Sequence, residues 1–318
     1  MNSLPAPLAV SQAINAVRGR FAPSPTGSLH LGNLRTALIA WLTARKAGDE
    51  FIVRMEDLDR VTSSRAHEVD QLRSLHALGL DWDGEVVRQS ERFGLYRLAI
   101  DRLRANGLVY ECYCTRREIR EAVRAPQGTD KEGAYPGTCR HLTNQDQSAL
   151  RAAGRRPALR LLTDGREESF EDRFSGRHAG RVDDLVLQRN DGVPAYNLAV
   201  VVDDSAQGVT EVVRGDDLVA STPSQILLHR LLGLTIPEYA HVPLVLAPDG
   251  SRLAKRHGAV TLGDLAARGY SPGDVCSRLA DSLGIDTGGR PVMARELLDR
   301  FDLGKIPATP WQLGADEL

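Results

Sequence analysis

The stretch Arg20-Phe21-Ala22-Pro23-Ser24-Pro25-Thr26-Gly27-Ser28-Leu29-His30-Leu31-Gly32-Asn33 decides the fold. Its two prolines and Gly27 break any regular structure between Ala22 and Ser28. Before the break, residues 16–22 read as a strand. After it, Leu31, Leu34, Leu38, Trp41 and Leu42 recur at helical spacing, which predicts a helix over 32–47 ended by Gly48. His30 and Gly32 then sit at a helix N-terminus, where free backbone N–H groups and the helix dipole favour an anion. A doubly wound sheet places a nucleotide's phosphates at such a turn.

The same βαβ logic continues outward. Residues 51–56 read as a second strand, 64–78 as a second helix, and 90–105 as a third, with Phe93, Tyr96, Ile100 and Leu103 on one face and Gly107 as its stop. Residues 108–113 look like the next strand. From Cys112 to about Asn190 the alternation is lost, and a polar region runs from Thr163 to Asp183. The α/β pattern returns with a helix over 195–204, a strand over 209–214, a helix over 222–232 and a buried strand over 242–246. A loop over 248–258 follows, then helices over 262–267, 275–283 and 295–301. The organisation expected is an N-terminal extension (1–17), two halves of one nucleotide fold (18–110 and 191–258), an insertion between them (111–190) and a helical subdomain (259–318).

Composition bounds the rest. The chain has 318 residues, 42% of them hydrophobic, enough for one or two domains with cores of their own. A net charge of −2 excludes a uniformly basic nucleic-acid coat while leaving room for a local basic face. No run approaches the roughly 20 apolar residues of a membrane span. The first residues lack the basic start of a signal peptide. Lys46, Lys131, Lys255 and Lys305 are the only lysines among 40 basic residues, so Lys255 stands out in an Arg-biased chain. The four cysteines include a C-x-C pair, which suits a cytosolic metal site better than a disulfide framework.

Pro248-Asp249-Gly250-Ser251-Arg252-Leu253-Ala254-Lys255-Arg256-His257-Gly258 follows an apolar strand and has glycines near both ends. A lysine on such a mobile loop can close on negative charge developing at a phosphate. Together the two segments resemble the HIGH and KMSKS signatures of class I aminoacyl-tRNA synthetases, in the form used by glutamyl synthetases. Lys255 matches the lysine that family places on ATP, and Ala254 departs from the motif's serine. The resemblance implies an α/β fold, with a Rossmann-type doubly wound parallel sheet, a zinc-containing insertion and a small C-terminal helical subdomain.

A glutamate substrate has two carboxylates and an ammonium, so its pocket wants arginines and an acid. Arg20, Glu56, Tyr196 and Arg214 match the positions that the glutamyl family uses for this purpose. By resemblance Arg20, Tyr196 and Arg214 engage the carboxylates and Glu56 the ammonium, with Phe21, Ala22, Pro23 and Ser24 also lining the glutamate site. His30, Gly32, Asn33 and Lys255 serve ATP, which Mg²⁺ accompanies, and His30 and Lys255 are the catalytic pair.

Cys112, Cys114 and Cys139, close together in a Gly/Pro-rich insertion, suit a tetrahedral zinc site that needs a fourth ligand. C-x-C…Y-x-x-x-C resembles the short glutamyl-synthetase-like family, the glutamyl-Q tRNA(Asp) synthetases, in which the tyrosine is that ligand. Tyr135 is the choice by resemblance and His141 the alternative. Cys276 reads as a plain core thiol. The 60 residues after Gly258 leave no room for a separate anticodon reader, which points to the same short family. The resemblance then implies a cytoplasmic, monomeric enzyme that activates glutamate with ATP. It transfers the glutamate to the queuosine base in the anticodon of tRNA(Asp). Three readings compete: a shortened glutamyl-tRNA synthetase charging 3′ ends, a cofactor-making nucleotidylyltransferase with an HxGH motif, and a non-catalytic synthetase paralogue.

Overall fold

A computed structural model describes residues 17–124, 135–253 and 261–314. Its first half runs β1 (Arg18–Phe21), α1 (Leu31–Lys46), β2 (Glu50–Met55), α2 (Arg65–Ala77), β3 (Val87–Arg88), α3 (Phe93–Ala105), β4 (Val109–Cys112), α4 (Arg116–Arg124) and α5 (Asn144–Ala152). It continues through β5 (Ala158–Leu161), β6 (Glu167–Asp172), β7 (Gly176–Arg181), β8 (Val186–Gln188), α6 (Tyr196–Ala206), β9 (Glu211–Gly215), α7 (Thr222–Leu232) and β10 (Glu238–Val242). β11 (Val245–Leu246), α8 (Leu262–Ala267), α9 (Pro272–Asp281) and β12 (Trp311–Gln312) complete it.

The central sheet has the order β3-β2-β1-β9-β10-β6-β7. β1, β2, β3, β9, β10 and β6 lie parallel to their neighbours, and β7 closes the edge as an antiparallel hairpin partner of β6. Alternate residues face opposite sides, as the pleat requires. Phe51, Val53, Val213 and Ala240 join α1 in one core cluster. Ile52, Val212 and Tyr239 turn the other way, onto Ile226 of α7. Apolar residues of α3, α6 and α7 pack together as a second large cluster. The chain moves from β1 outward to β2 and β3, then returns to lay β9 on the other side of β1. The crevice between the carboxyl ends of β1 and β9 is therefore a topological switch point, where open α/β sheets hold ligands.

Three expectations need correction. The strand over 242–246 is two elements: β10 ends at Val242, and β11 pairs with β12 outside the central sheet. Pro243 has no N–H to continue a ladder, and the polar Glu238 and His241 disguise the true strand. The helix over 295–301 is a 3₁₀ turn at Ala294–Leu297 followed by irregular chain; Ala294, Leu297 and Phe301 are buried at helical spacing without a continuous helix. The polar region 163–183 forms β6 and β7 on the edge of the central sheet, while β4, β5 and β8 make a separate antiparallel sheet. The N-terminal extension up to residue 16, and Ala254 and Lys255, lie outside the described residues.

Candidate active site

A cavity of about 500 Å³ opens at the switch point. It is lined by Arg20, Phe21, Ala22, Pro23, Ser24, His30, Gly32, Asn33, Glu56, Tyr196 and Arg214, so the structure brings together every sequence-predicted site residue for glutamate and ATP except Lys255. Arg20 and Arg214 sit one residue before the ends of β1 and β9, and Glu56 follows β2 directly. Tyr196 opens α6.

His30 is the N-cap of α1. Its Nδ1 accepts from the backbone N–H of Gly32 at 3.1 Å and of Asn33 at 3.3 Å, and Asn33 Oδ1 accepts from the His30 N–H at 3.2 Å. This corrects the simple picture of a helix end with free N–H groups, because His30 itself occupies two of them. With Nδ1 an acceptor, the ring proton resides on Nε2, so the imidazole offers one N–H donor. Burial, then the nearby Arg252, lowers the His30 pKa to about 4 and keeps the ring neutral near pH 7. Gly32 leaves room for this arrangement: a Cβ there would lie 3.0 Å from His30 Cε1 and Nδ1 and press on the ring.

The acid side of the cavity rests on one buried arginine. Arg54 Nη1 donates to Asp204 Oδ1 at 2.7 Å and Gln207 Oε1 at 2.9 Å, and its Nη2 donates to Glu56 Oε1 at 3.2 Å. Burial raises the Glu56 pKa, against the opposing pull of Arg54 and Arg20. Arg20 reaches the same cluster, with Nε 3.6 Å from Asp204 Oδ1. Arg214 donates through Nε to His241 Nε2 at 3.0 Å and through Nη2 to Thr222 Oγ1 at 2.8 Å. Its Nη1 is buried with no hydrogen-bond partner among the described residues. The cavity is thus lined by a carboxylate and two arginines, each with a buried nitrogen that lacks a hydrogen-bond partner among the described residues, a chemistry that matches a small amino acid with an extra acid group.

Sequence reasoning missed Gln71, which staples the signature loop: its Nε2 donates to Ser24 O at 3.0 Å and Gly27 O at 2.7 Å. It also missed Arg54, Asp204, Thr222 and His241. A charged residue inside an apolar strand (Arg54 in Phe-Ile-Val-Arg-Met) was the available signal. Arg252, quoted within the second motif, lines the cavity and pairs with Asp217.

A second cavity of about 800 Å³ shares Ser24, Glu56 and Tyr196 with the first and extends toward the insertion. Arg116, Arg156, Arg160 and Arg189 line it, along with Cys112 and Cys114. The Sγ atoms of Cys112, Cys114 and Cys139 lie within 4.8 Å of one another. Cys114 and Cys139 Sγ are 3.4 Å apart, and Tyr135 Oη is 3.3 Å from Cys112 Sγ and 3.9 Å from Cys114 Sγ. That oxygen also accepts the Cys139 backbone N–H at 2.9 Å. Tetrahedral sulfurs bound to zinc at about 2.3 Å are roughly 3.8 Å apart, so the donor set fits. His141 is exposed and stands outside this group. Cys276 is buried in α9 within the main core, as expected of a plain thiol.

His30 and the fully buried His229 both have pKa values lowered to about 4. Between the unfolded value near 6.5 and about 4, unfolding takes up a proton at each, so stability falls as pH drops through this window. The expected loss is at most about 1.4 kcal/mol per pH unit per histidine, less for the partly exposed His30. A urea midpoint that is flat above pH 7 and falls between pH 6.5 and 5 is the expected result; one that holds constant to pH 5 contradicts it.

Residues 16–305 match the family described as tRNA synthetases class I (E and Q), catalytic domain. A protein of Nocardia farcinica named glutamyl-Q tRNA(Asp) synthetase is 58% identical, over 93% of this chain and 92% of its own length. One of the same name from Symbiobacterium thermophilum is 50% identical, over 94% and 97%. The solved glutamate-tRNA synthetase of Elizabethkingia anophelis is 28% identical with a TM-score of 0.82, and the match covers 95% of this chain and 69% of that one. Motifs, switch-point cavity and relatives converge: the chain belongs to the class I tRNA synthetases of the glutamate and glutamine type, the family that the signature segments resemble.

Proposed function

We propose that this protein is an enzyme that activates L-glutamate with ATP and transfers it to the queuosine base of tRNA(Asp). The observation that carries the first step is the switch-point cavity, which is lined together by two buried arginines, Glu56, Tyr196 and the His30 helix cap. The acceptor is inferred from the near full-length likeness to two proteins that bear that name.

In the first step a carboxylate oxygen of glutamate attacks the α-phosphorus of ATP. An O–P bond forms, the bond to pyrophosphate breaks, and glutamyl adenylate remains. Arg20, Tyr196 and Arg214 hold the carboxylate ends and Glu56 the ammonium, with Phe21 to Ser24 as the adjoining wall. Glutamate supplies the nucleophile, so the protein's part is positioning and charge stabilisation. His30 Nε2–H and, from its loop, Lys255 meet the phosphates beside Gly32 and Asn33. Mg²⁺ arrives with ATP as part of the substrate. In the second step the acceptor takes the glutamyl group and AMP leaves. The second cavity, with its four arginines beside Tyr196 and Glu56, suits an incoming RNA and its phosphates. One chain supplies every residue named, consistent with an active monomer, and we place its work in the cytoplasm with the tRNA. No helix of the described residues is long and apolar enough to cross a membrane.

We read Cys112, Cys114, Cys139 and Tyr135 as the ligands of one structural zinc, which when bound would tie the end of β4 to the segment before α5. Purified chelator-free protein should carry about one zinc per chain, and Cys139→Ser should lose it together with stability of the insertion. Metal-free protein of undiminished stability would overturn the site. The first step is tested by ATP–pyrophosphate exchange. Exchange that depends on glutamate is expected, whereas exchange that proceeds without an amino acid would favour a nucleotidylyltransferase.

A further inference from the structure

Asp172 and His241 do not line the cavity, and no role assigned above uses them. We infer that they are positioning residues that set the guanidinium of Arg214 for the substrate carboxylate, an inference that rests on reading Arg214 as a glutamate contact.

His241 on β10 stands directly across from Arg214 on β9 in the strand register. Its Nδ1 lies 2.6 Å from Asp172 Oδ2 at the end of β6, and its Nε2 lies 3.0 Å from Arg214 Nε. A guanidinium N–H can only donate, so Nε2 must accept and the ring proton must lie on Nδ1, donated to Asp172. Burial lowers the His241 pKa, which favours this neutral ring although the Asp172 hydrogen bond opposes the shift. The other neighbours fit the same polarity. Thr222 Oγ1 accepts from Arg214 Nη2 at 2.8 Å and has two acceptors for its own O–H, Leu218 O and His241 Nε2, each at 3.1 Å. The Tyr239 ring backs the guanidinium at 5.1 Å. Nε and Nη2 are thereby fixed, and Nη1 is left as the buried, unpartnered nitrogen on a residue that lines the cavity. The β6 hairpin, packed on the sheet through Phe170 against Tyr239 and His241, delivers the carboxylate that orders this chain.

Asp172→Asn separates the relay from simple packing. Oδ1 accepts from the backbone N–H of Phe174 at 3.1 Å and Ser175 at 2.9 Å and from the Ser175 hydroxyl at 2.9 Å, and it shares the His241 backbone N–H (3.1 Å) with Oδ2 (3.0 Å). The asparagine carbonyl must therefore take that position, which turns its NH₂ toward His241 Nδ1. Nδ1 then becomes the acceptor, the proton moves to Nε2, and it opposes the Arg214 Nε–H. The Phe174 and Ser175 hydrogen bonds are kept and the His241 backbone N–H retains Oδ1, while that N–H loses its second acceptor and the guanidinium loses its anchor.

The test is glutamate-dependent ATP–pyrophosphate exchange with each substrate varied in turn, beside thermal melting. Asp172→Asn should raise KM for glutamate by about tenfold or more and leave KM for ATP within about twofold. His241→Leu should do the same, whereas His241→Gln, which keeps a neutral acceptor, should recover most of the affinity for glutamate. Glutamate KM unchanged in Asp172→Asn, or both KM values raised equally with a lowered melting point, would overturn the relay. If Asp172→Asn fails to fold, equal glutamate KM in the Gln and Leu variants overturns it instead. Absence of glutamate-dependent exchange in the unaltered protein would defeat the functional reading itself, and the relay's substrate with it.

Discussion

His30→Asn should lower the rate of adenylate formation by about 10²–10³-fold while the protein melts within a few degrees of its usual temperature. Asparagine is among the strongest N-cap residues, so its side-chain oxygen can still accept from the start of α1 and the helix stays capped. What disappears is the Nε2–H. The neutral imidazole presents that single donor because Gly32 and Asn33 hold Nδ1, and removing one preorganised donor to developing phosphate charge costs about this much. His30→Ala should show the same kinetic loss and also destabilise the helix by roughly 1 kcal/mol. Single-turnover pyrophosphate release and melting curves measure both effects. An Asn variant with normal turnover would show that His30 is a cap and nothing more.

Arg54→Met has the largest expected effect on stability, a loss of about 3–5 kcal/mol. Arg54 is fully buried and faces Asp204, Glu56 and, at 3.9 Å, Asp203. Methionine approximates its volume and removes the charge, leaving carboxylates that cannot all stay ionised away from water. Asp203 retains Arg92, and Asp204 retains Arg20, so the strain concentrates on Glu56. Its pKa, already raised by burial, should rise further, and its hold on an ammonium should weaken. Urea unfolding and the glutamate KM should therefore worsen together. Unchanged stability would mean that the cluster is not the keystone described.

The parts of this molecule legible in its sequence are those where local chain chemistry dictates the outcome. Pro23, Pro25 and Gly27 force the break, and the apolar spacing after Leu31 forces the helix, so the strand–loop–helix that carries His30 could be read directly. Arg20, Glu56 and Arg214 were legible because family resemblance marked them and each sits at a strand's carboxyl end. What could not be read depends on long-range pairing. Glu238-Tyr239-Ala240-His241-Val242 is a central strand paired along β9 whose polar His241 is buried against Asp172, 69 residues away, and that partner lies in a stretch that reads only as a polar region. Gln71 likewise sits on a helix whose apolar face draws attention elsewhere, and its role appears only when the loop folds over it. The thiol cluster shows the intermediate case: C-x-C and Cys139 suggest a metal site and resemblance favours Tyr135 over His141, while only the fold sets the phenol oxygen beside two sulfurs and leaves His141 exposed.

The most direct test of the whole account follows labelled glutamate, with ATP, into tRNA(Asp) prepared with and without queuosine. The account predicts label only on the queuosine form, retained after the 3′ terminal nucleotide is removed. Label on tRNA(Glu), or label lost with the 3′ end, would contradict it and make the protein a charging enzyme.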